Sequence, residues 1–221
     1  FGYTKSLDSA SYTRASEDTL KEYAHIIQMK NTDKLCLFTA QGNMYQIKAS
    51  AIPKGKTKDK GSLIQTLCKV DKEDILVYTC FEELFESQLL FTTKNGFIKQ
   101  VSGAEFETIR AMITSTKLDA DDSLVSITIL TAHDILSQTM KVILLTEKGA
   151  SLGFPLEEVS ELKKTSRGVK AIALDANDYV VFATAQDLNA ESFTYNTKEL
   201  SAKKVRMRKR GQKGQKANLD L

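Results

Sequence analysis

Leu89-Leu90-Phe91-Thr92-Thr93-Lys94-Asn95-Gly96-Phe97-Ile98-Lys99-Gln100-Val101 is the stretch around which the rest of the chain is organised. Two runs rich in aliphatic and aromatic residues flank the polar Thr93-Lys94-Asn95-Gly96, the pattern of a tight β-hairpin. Gly96 supplies the positive φ that the link needs without a Cβ clash.

The pattern recurs at residues 35–48 around Gly42 and at residues 142–154 around Gly149, so the three glycines lie 54 and 53 residues apart. Such regularity marks repeating supersecondary units. An incomplete copy opens the chain at residues 1–7. A degenerate one is expected late, with residues 180–184 and 192–195 as strands and Asp187-Leu188-Asn189 as the turn. The chain therefore reads as all-β, with about five units of four short strands each. Radial repetition into a propeller-like ring leaves only short, protected edges. A stacked β-solenoid is the alternative, and its repeats would normally be shorter.

At 221 residues, 42% of them hydrophobic, the chain can bury a substantial core in one repeat domain. It has no run of 18 apolar residues and no signal-peptide pattern, so no membrane span is expected. It begins inside a motif, as a fragment of something longer would. Cys36, Cys68 and Cys80 are an odd number without Cys-x-x-Cys spacing, which reads as reduced, buried thiols in a cytoplasmic protein. His25 and His133 stand apart from any cluster with ligand spacing, so no metal site is expected.

Charge divides the chain. Residues 203–221 hold eight basic residues against Asp220, a net of +7; residues 1–202 hold the other 23 of the 31 basic residues and 27 of the 28 acidic ones, a net of −4. Two segments follow: a repeat domain over 1–202 and a basic C-terminal segment over 203–221, part of or attached to the last unit. Concentrated positive charge is the footprint of a polyanion partner, most often nucleic acid.

Between the hairpins, residues 16–24 read equally as a short helix or a loop, and residues 25–29, 62–67 and 75–79 as strands. Lys54, Lys56 and Lys58 lie in a basic loop directly after the first full hairpin, where phosphate contact competes with simple solvation. Lys163, Lys164, Arg167 and Lys170 follow the third hairpin, and Arg208, Lys209, Arg210, Gly211, Lys213 and Gly214 lie near the end. Arg210-Gly211-Gln212-Lys213 is expected in the register of Arg167-Gly168-Val169-Lys170. Lys99 joins these candidate DNA-binding residues from its hairpin strand, and Lys48 adds a local basic face.

The Thr-x-x-Gly hairpin followed by a strand with a basic residue, as in residues 93–99, and the downstream Arg167-Gly168-Val169-Lys170-Ala171-Ile172 resemble the C-terminal domain of the A subunit of bacterial type IIA topoisomerases, DNA gyrase and topoisomerase IV. The likeness runs over nearly the whole chain. Its opening, Gly2-Tyr3-Thr4-Lys5-Ser6-Leu7 with Ser11-Tyr12, is most similar to the topoisomerase IV branch. The resemblance implies a β-pinwheel, a ring of strand-swapped blades whose basic rim bends duplex DNA. It also implies partners: double-stranded DNA, the ATP-binding B subunit, plus the rest of the A subunit. The gyrase branch carries a Gln-Arg-Arg-Gly-Gly-Lys-Gly box after its first blade hairpin. The corresponding loop here, residues 14–18, is acidic and does not match. Arg208-Lys209-Arg210-Gly211-Gln212-Lys213-Gly214 is box-like at the other end of the chain: Arg210, Gly211, Lys213 and Gly214 are identical, Lys209 is similar, and Arg208 and Gln212 depart. Both branches stay open on these residues. In the family the nucleophilic Tyr lies in another domain beside an Arg, and none of the seven tyrosines here has that context, nor is there a Gly-rich phosphate loop or a paired metal carboxylate set. The expected function is thus a non-catalytic DNA-binding and DNA-bending domain, without catalytic residue or cofactor, of an ATP-dependent topoisomerase. A propeller used as a protein-interaction platform is the alternative, since fold does not fix function.

Overall fold

The computed structural model describes residues 2–70 and 73–216; Phe1 of the opening copy and residues 217–221 of the basic tail lie outside the described residues. The chain opens with β1 (Tyr3–Thr4) and two short helices, α1 (Ser9–Thr13) and α2 (Glu17–Lys21). Asp8 and Ser16 cap these helices by accepting the amides of Ser11 and Thr19. A hairpin of β2 (Lys34–Thr39) and β3 (Asn43–Lys48) leads to β4 (Ser62–Leu63), α3 (Ile64–Leu67), β5 (Ile75–Cys80) and α4 (Phe81–Phe85). The next hairpin, β6 (Gln88–Thr93) and β7 (Phe97–Ser102), leads to β8 (Met112–Thr114), β9 (Leu124–Leu130) and α5 (Ala132–Ser137). A third, β10 (Met140–Thr146) and β11 (Ala150–Pro155), leads to β12 (Val169–Lys170) and β13 (Val180–Asp187). The last, β14 (Ser192–Tyr195) and β15 (Lys198–Ser201), precedes β16 (Gln215–Lys216).

These strands form five sheets. Three have four strands, in the orders β5-β2-β3-β8, β9-β6-β7-β12 and β13-β10-β11-β16, and two have two, β1-β4 and β14-β15. Every pairing is antiparallel, and the fourth strand of each four-stranded sheet comes from the repeat after it. Thus β8, which follows the second hairpin in sequence, completes the first four-stranded sheet; β12 completes the second and β16 the third. In the same way β4 pairs with β1. This exchange of strands between blades makes the fold a β-pinwheel.

The hairpin turns are copies of one another. Gly42, Gly96 and Gly149 have φ of 79°, 79° and 77°. Their amides donate to the carbonyls of Thr39, Thr93 and Thr146 at 3.0, 3.0 and 2.9 Å. The same threonines accept the amides of Asn43, Phe97 and Ala150 on Oγ1 at 3.3, 3.2 and 3.2 Å. The Thr before each turn is therefore as much a part of the motif as the Gly, closing the loop from both its carbonyl and its hydroxyl.

Period-2 alternation explains why the central strands are apolar at nearly every position: each faces a blade on both sides. Leu35 and Leu37 pack with Ile64 and Cys68 on the side of β1 and β4, while Cys36 and Phe38 pack with Leu89, Phe91 and Phe106 of the next unit. Leu90 and Ile98 meet Val142, Leu144 and Phe154, and Ile143 and Leu145 meet Phe193, Leu200 and Val205. Burial keeps the Cys36 thiol protonated, its pKa pushed up to about 12, and all three cysteines are buried and unpaired.

Several strand expectations differ from the structure. Only Ser62–Leu63 of the 62–67 run is a strand, because the Ile64 amide donates to the Gly2 carbonyl at 2.7 Å and the chain then winds into α3. Residues 25–29 form no strand, since β5 already fills the place beside β2. Residues 180–187 are not half of a degenerate hairpin but the outer strand of the third sheet, paired along β10. The late hairpin turns instead at Asn196 and Thr197, both at positive φ (47° and 67°), which suits the twist of a two-residue link.

Candidate nucleic-acid interface

Most of the candidate residues lie in the segments that lead into a strand given to the preceding blade, β4, β12 or β16. Three of these loops superimpose in register. Ser6, Gln100 and Gly153, each four residues beyond a hairpin Gly, bridge in parallel to Lys54, Glu161 and Met207. Each loop then reaches a Gly before its strand: Gly61 before β4, Gly168 before β12 and Gly214 before β16. Strand pairing fixes the same equivalence, since Val169 lies opposite Ile98 and Gln215 opposite Ser151. The expected alignment of Arg210-Gly211-Gln212-Lys213 with residues 167–170 is therefore off by three residues; Lys213-Gly214-Gln215-Lys216 holds that register. The sequence misled because Gly211 and Gly214 both follow a cation, and only the ladder tells them apart.

The glycines at the loop ends are needed for close approach. A Cβ on Gly61 would lie 2.5 Å from the Thr4 carbonyl oxygen, and one on Gly168 would lie 2.8 Å from that of Ile98.

The loops differ in how far their cations are already engaged. In residues 54–61, Lys54, Lys56, Lys58 and Lys60 are all exposed; Lys54, Lys56 and Lys58 carry no ion pair among the described residues, and Lys60 lies 4.2 Å from the Tyr3 ring centroid. In residues 161–168, Lys163 pairs with Glu105 at 3.0 Å, the Lys164 ammonium donates to the Glu105 carbonyl at 2.5 Å, and Arg167 stacks 3.9 Å from Phe97 while pairing with Asp119 at 2.7 Å. In residues 207–214, Lys209 is exposed and Lys213 pairs with Asp175 at 2.7 Å. Arg208 donates to the Lys213 carbonyl at 3.2 Å. Arg210 donates from Nε to the Glu158 carbonyl and from Nη1 to the Lys170 carbonyl, both at 2.7 Å, and Gly211 donates to the Ala171 carbonyl at 2.7 Å. The box-like segment is thus tied to the second and third sheets rather than trailing free. Lys170 and Lys48 are exposed at the ends of their strands.

Lys99 does not join the exposed set. It is 1% exposed, and its ammonium faces inward to the carbonyls of Lys163, Lys164 and Ser166 at 3.3, 2.8 and 2.8 Å. Burial pushes its pKa down to about 8, with Glu105 opposing the shift. Strand alternation left its side open; the loop that leads into the fourth strand, supplied from the next repeat, covers it.

The fourth position breaks the series. Residues 107–111, ahead of β8, carry a single cation, Arg110, and a fully exposed Ile109. Gln46 holds this loop by donating its side-chain amide to the carbonyls of Thr108 and Arg110. Sequence pattern alone misses Lys5, whose ammonium reaches into the 54–61 loop from beyond β1, and the carboxylates that compete for the cations; the equal length of the runs from Lys54 to Gly61 and from Glu161 to Gly168 is the signal that could have matched the loops.

Three segments of the chain, residues 33–79, 87–131 and 141–187, match the family model described as DNA gyrase C-terminal domain, beta-propeller, and together they cover more than half of it. The chain belongs to that family. The segments coincide with the three hairpins and their outer strands. The chain is 31% identical over 195 residues to the A subunit of DNA gyrase from Helicobacter pylori, covering 82% of this chain and 23% of that protein. It is 26% identical over 197 residues to the A subunit of DNA topoisomerase 4 from Staphylococcus epidermidis, covering 85% of this chain and 24% of that protein. Among solved structures, the C-terminal domain of DNA topoisomerase IV superimposes with a TM-score of 0.77 at 25% identity, over 97% of this chain and 69% of that one. The DNA gyrase A C-terminal domain gives 0.59 at 25% identity, over 85% and 60%. The chain thus spans about a quarter of the curated relatives' length and corresponds to their C-terminal pinwheel. None of its described helices is long and apolar enough to cross a membrane.

Proposed function

We propose that this pinwheel binds and bends duplex DNA as the non-catalytic part of a type IIA topoisomerase, acting beside the rest of an A subunit, with an ATP-binding B subunit. The observation that carries this reading is the repetition of one basic loop in one register, at residues 54–61, 161–168 and 207–214, leading into β4, β12 and β16, each a strand given to the preceding blade. Successive phosphates along a duplex present a repeating charge, and a surface that repeats its cations can neutralise several of them without reading bases. Lys54, Lys56, Lys58, Lys163, Lys164, Arg167, Lys170, Arg208, Lys209, Lys213 and Lys216 are the proposed contacts. Gly211 and Gly214 let the backbone approach, and Arg210 holds the last loop in place. Sequence preference then comes from DNA bendability alone.

Titrating labelled duplex with the chain at increasing salt tests this. About six phosphate contacts give a log–log slope of about −5, and end-to-end fluorescence transfer reports bending. Salt-independent binding, or a strong consensus in a selection experiment, would contradict the proposal. Absence of DNA binding would favour the protein-platform alternative.

A further inference from the structure

Lys5 and Lys99 each stand three residues beyond a hairpin-register Gly, Gly2 and Gly96, and their ammonium groups do the same thing. Lys5 donates to the carbonyls of Lys56 at 2.8 Å and Thr57 at 2.7 Å, and to that of Asp59. Lys99 donates to the carbonyls of Lys163, Lys164 and Ser166. In the loop register, Lys56 matches Lys163, Thr57 matches Lys164 and Asp59 matches Ser166, so both lysines hold the same three carbonyls. An ammonium has three N–H donors, and here all three are committed. Each also lies near an aromatic ring, Lys5 at 5.0 Å from Tyr23 and Lys99 at 5.7 Å from Phe91.

Placing a cation beneath a loop that already carries three or four is electrostatically costly, so it needs a return. In a trans peptide the N–H points opposite to the C=O. Carbonyls drawn inward by Lys5 and Lys99 therefore turn the following amides outward. The amides of Lys58 and Thr165, which match in register and follow the Thr57 and Lys164 carbonyls, have no acceptor among the described residues. Each amide lies in a loop that carries cations: Lys56, Lys58 and Lys60 in one, Lys163, Lys164 and Arg167 in the other.

Building on the proposed function, we infer that these two loop tips are phosphodiester seats, centred on the Lys58 and Thr165 amides, and that Lys5 and Lys99 are their positioning residues, shaping the seats without touching DNA. The first and third four-stranded sheets lack the device. They carry Tyr45 and Leu152 at the equivalent position, and the loop of the third sheet is fastened from outside by Arg210.

The test uses the full chain with a labelled duplex and, separately, inorganic phosphate. Amide resonances of Lys58 and Thr165 are followed in the parent and in Lys5→Met, Lys99→Met, Lys5→Arg and the exposed control Lys117→Met. Both amides should shift on titration in the parent. Lys5→Met should abolish the shift at Lys58, weaken duplex binding about fivefold to tenfold and flatten the log–log salt slope by about one. Lys99→Met should do the same at Thr165. Lys117→Met should change affinity by less than about twofold, and Lys5→Arg, which keeps charge and donors, should restore most of the binding. Lys58 and Thr165 amides unmoved at saturation, or Met variants that bind like Lys117→Met, would overturn the inference. If Lys99→Met fails to fold, half-buried Lys5 decides it alone. A parent that binds no duplex defeats the proposed function, and the phosphate titration then decides for or against the seats.

Discussion

Arg167 pairs with Asp119 and Lys213 pairs with Asp175, each at 2.7 Å, and these are one ion pair written twice. The cations hold equivalent places ahead of β12 and β16. The carboxylates hold equivalent places in Asp-x-x-Asp turns: Asp122 and Asp178 donate their amides to the carbonyls of Asp119 and Asp175, both at 3.1 Å. A pinwheel that uses these cations for DNA must first separate them from their own carboxylates. Such exposed pairs cost about 0–1 kcal/mol to break.

Removing the competing carboxylate should therefore help binding. Asp119→Asn and Asp175→Asn are each expected to tighten duplex binding about twofold to fivefold and to steepen its salt dependence, with stability changed by less than about 0.5 kcal/mol. Anisotropy titrations at two salt concentrations, with thermal melts alongside, check this. Unchanged affinity in both variants would mean that Arg167 and Lys213 do not meet phosphate.

The hairpins were legible in the sequence because Thr, Gly and the flanking apolar runs act locally, and the same bonds recur at Thr39, Thr93 and Thr146. The fourth strands were not. Val169–Lys170 and Gln215–Lys216 are two residues long, too short for period-2 alternation to register, and their partners lie in another repeat; Ser62–Leu63 was read as a strand, but as part of a longer one. From this one gap came the misplaced register of the box-like segment and the outward reading of Lys99, whose burial depends on a strand supplied from about 70 residues further on. The basic character of the three loops was plain from composition; which cations are free and which are paired depended on Glu105, Asp119 and Asp175, brought near only by folding.

Gly61 and Gly168 should tolerate no side chain, whereas Gly214 should. The first two have φ of 82° and 101° and face a carbonyl oxygen at 2.5 and 2.8 Å from a built Cβ. Gly214 has no such φ, and its nearest neighbours are at 3.1 Å. Gly168→Ala and Gly61→Ala are expected to lose about 1–3 kcal/mol in urea unfolding, and Gly214→Ala less than about 1 kcal/mol. Equal losses at all three would contradict positive φ and the close carbonyl as the source of the strain.

Stability should rise on the alkaline side through Lys99. Its pKa is about 8 in the folded protein against 10.5 for a free lysine. Below about pH 8 both states hold the proton and the buried charge opposes folding. Between about pH 8 and 10.5 the unfolded chain binds the extra proton, so raising the pH favours the folded state. Burial is the main cause of the shift, and Glu105 opposes it by favouring the ammonium. A neutral amine keeps only two donors for three carbonyls, so the 161–168 loop should exchange its Ser166 amide faster over the same range even as the whole protein gains stability. Urea unfolding from pH 7.5 to 10, taken as the difference between the parent and Lys99→Met, isolates the effect; a flat difference would remove it.

The box-like segment should separate into a fastening residue and a binding residue. Arg210 spans two carbonyls, Glu158 and Lys170, and its backbone amide donates to the Glu158 carboxylate at 2.7 Å. Loss of two charge-assisted bonds in a half-buried position costs about 1–3 kcal/mol. Arg210→Lys should rescue little, because a single ammonium cannot reproduce the planar fork. Lys209 is exposed and carries no ion pair among the described residues, so Lys209→Ala should leave the melt unchanged while flattening the salt slope by about one and weakening binding a few-fold. Arg210→Ala should lower both stability and bending, the latter because the loop that carries Lys209 and Lys213 is no longer fixed beside the second and third sheets. Fluorescence-transfer bending at matched salt distinguishes the two. If Arg210→Ala bends DNA as well as the parent while Lys209→Ala does too, residues 207–214 act as a structural clasp between blades, and the likeness to the gyrase box has no bearing on DNA here.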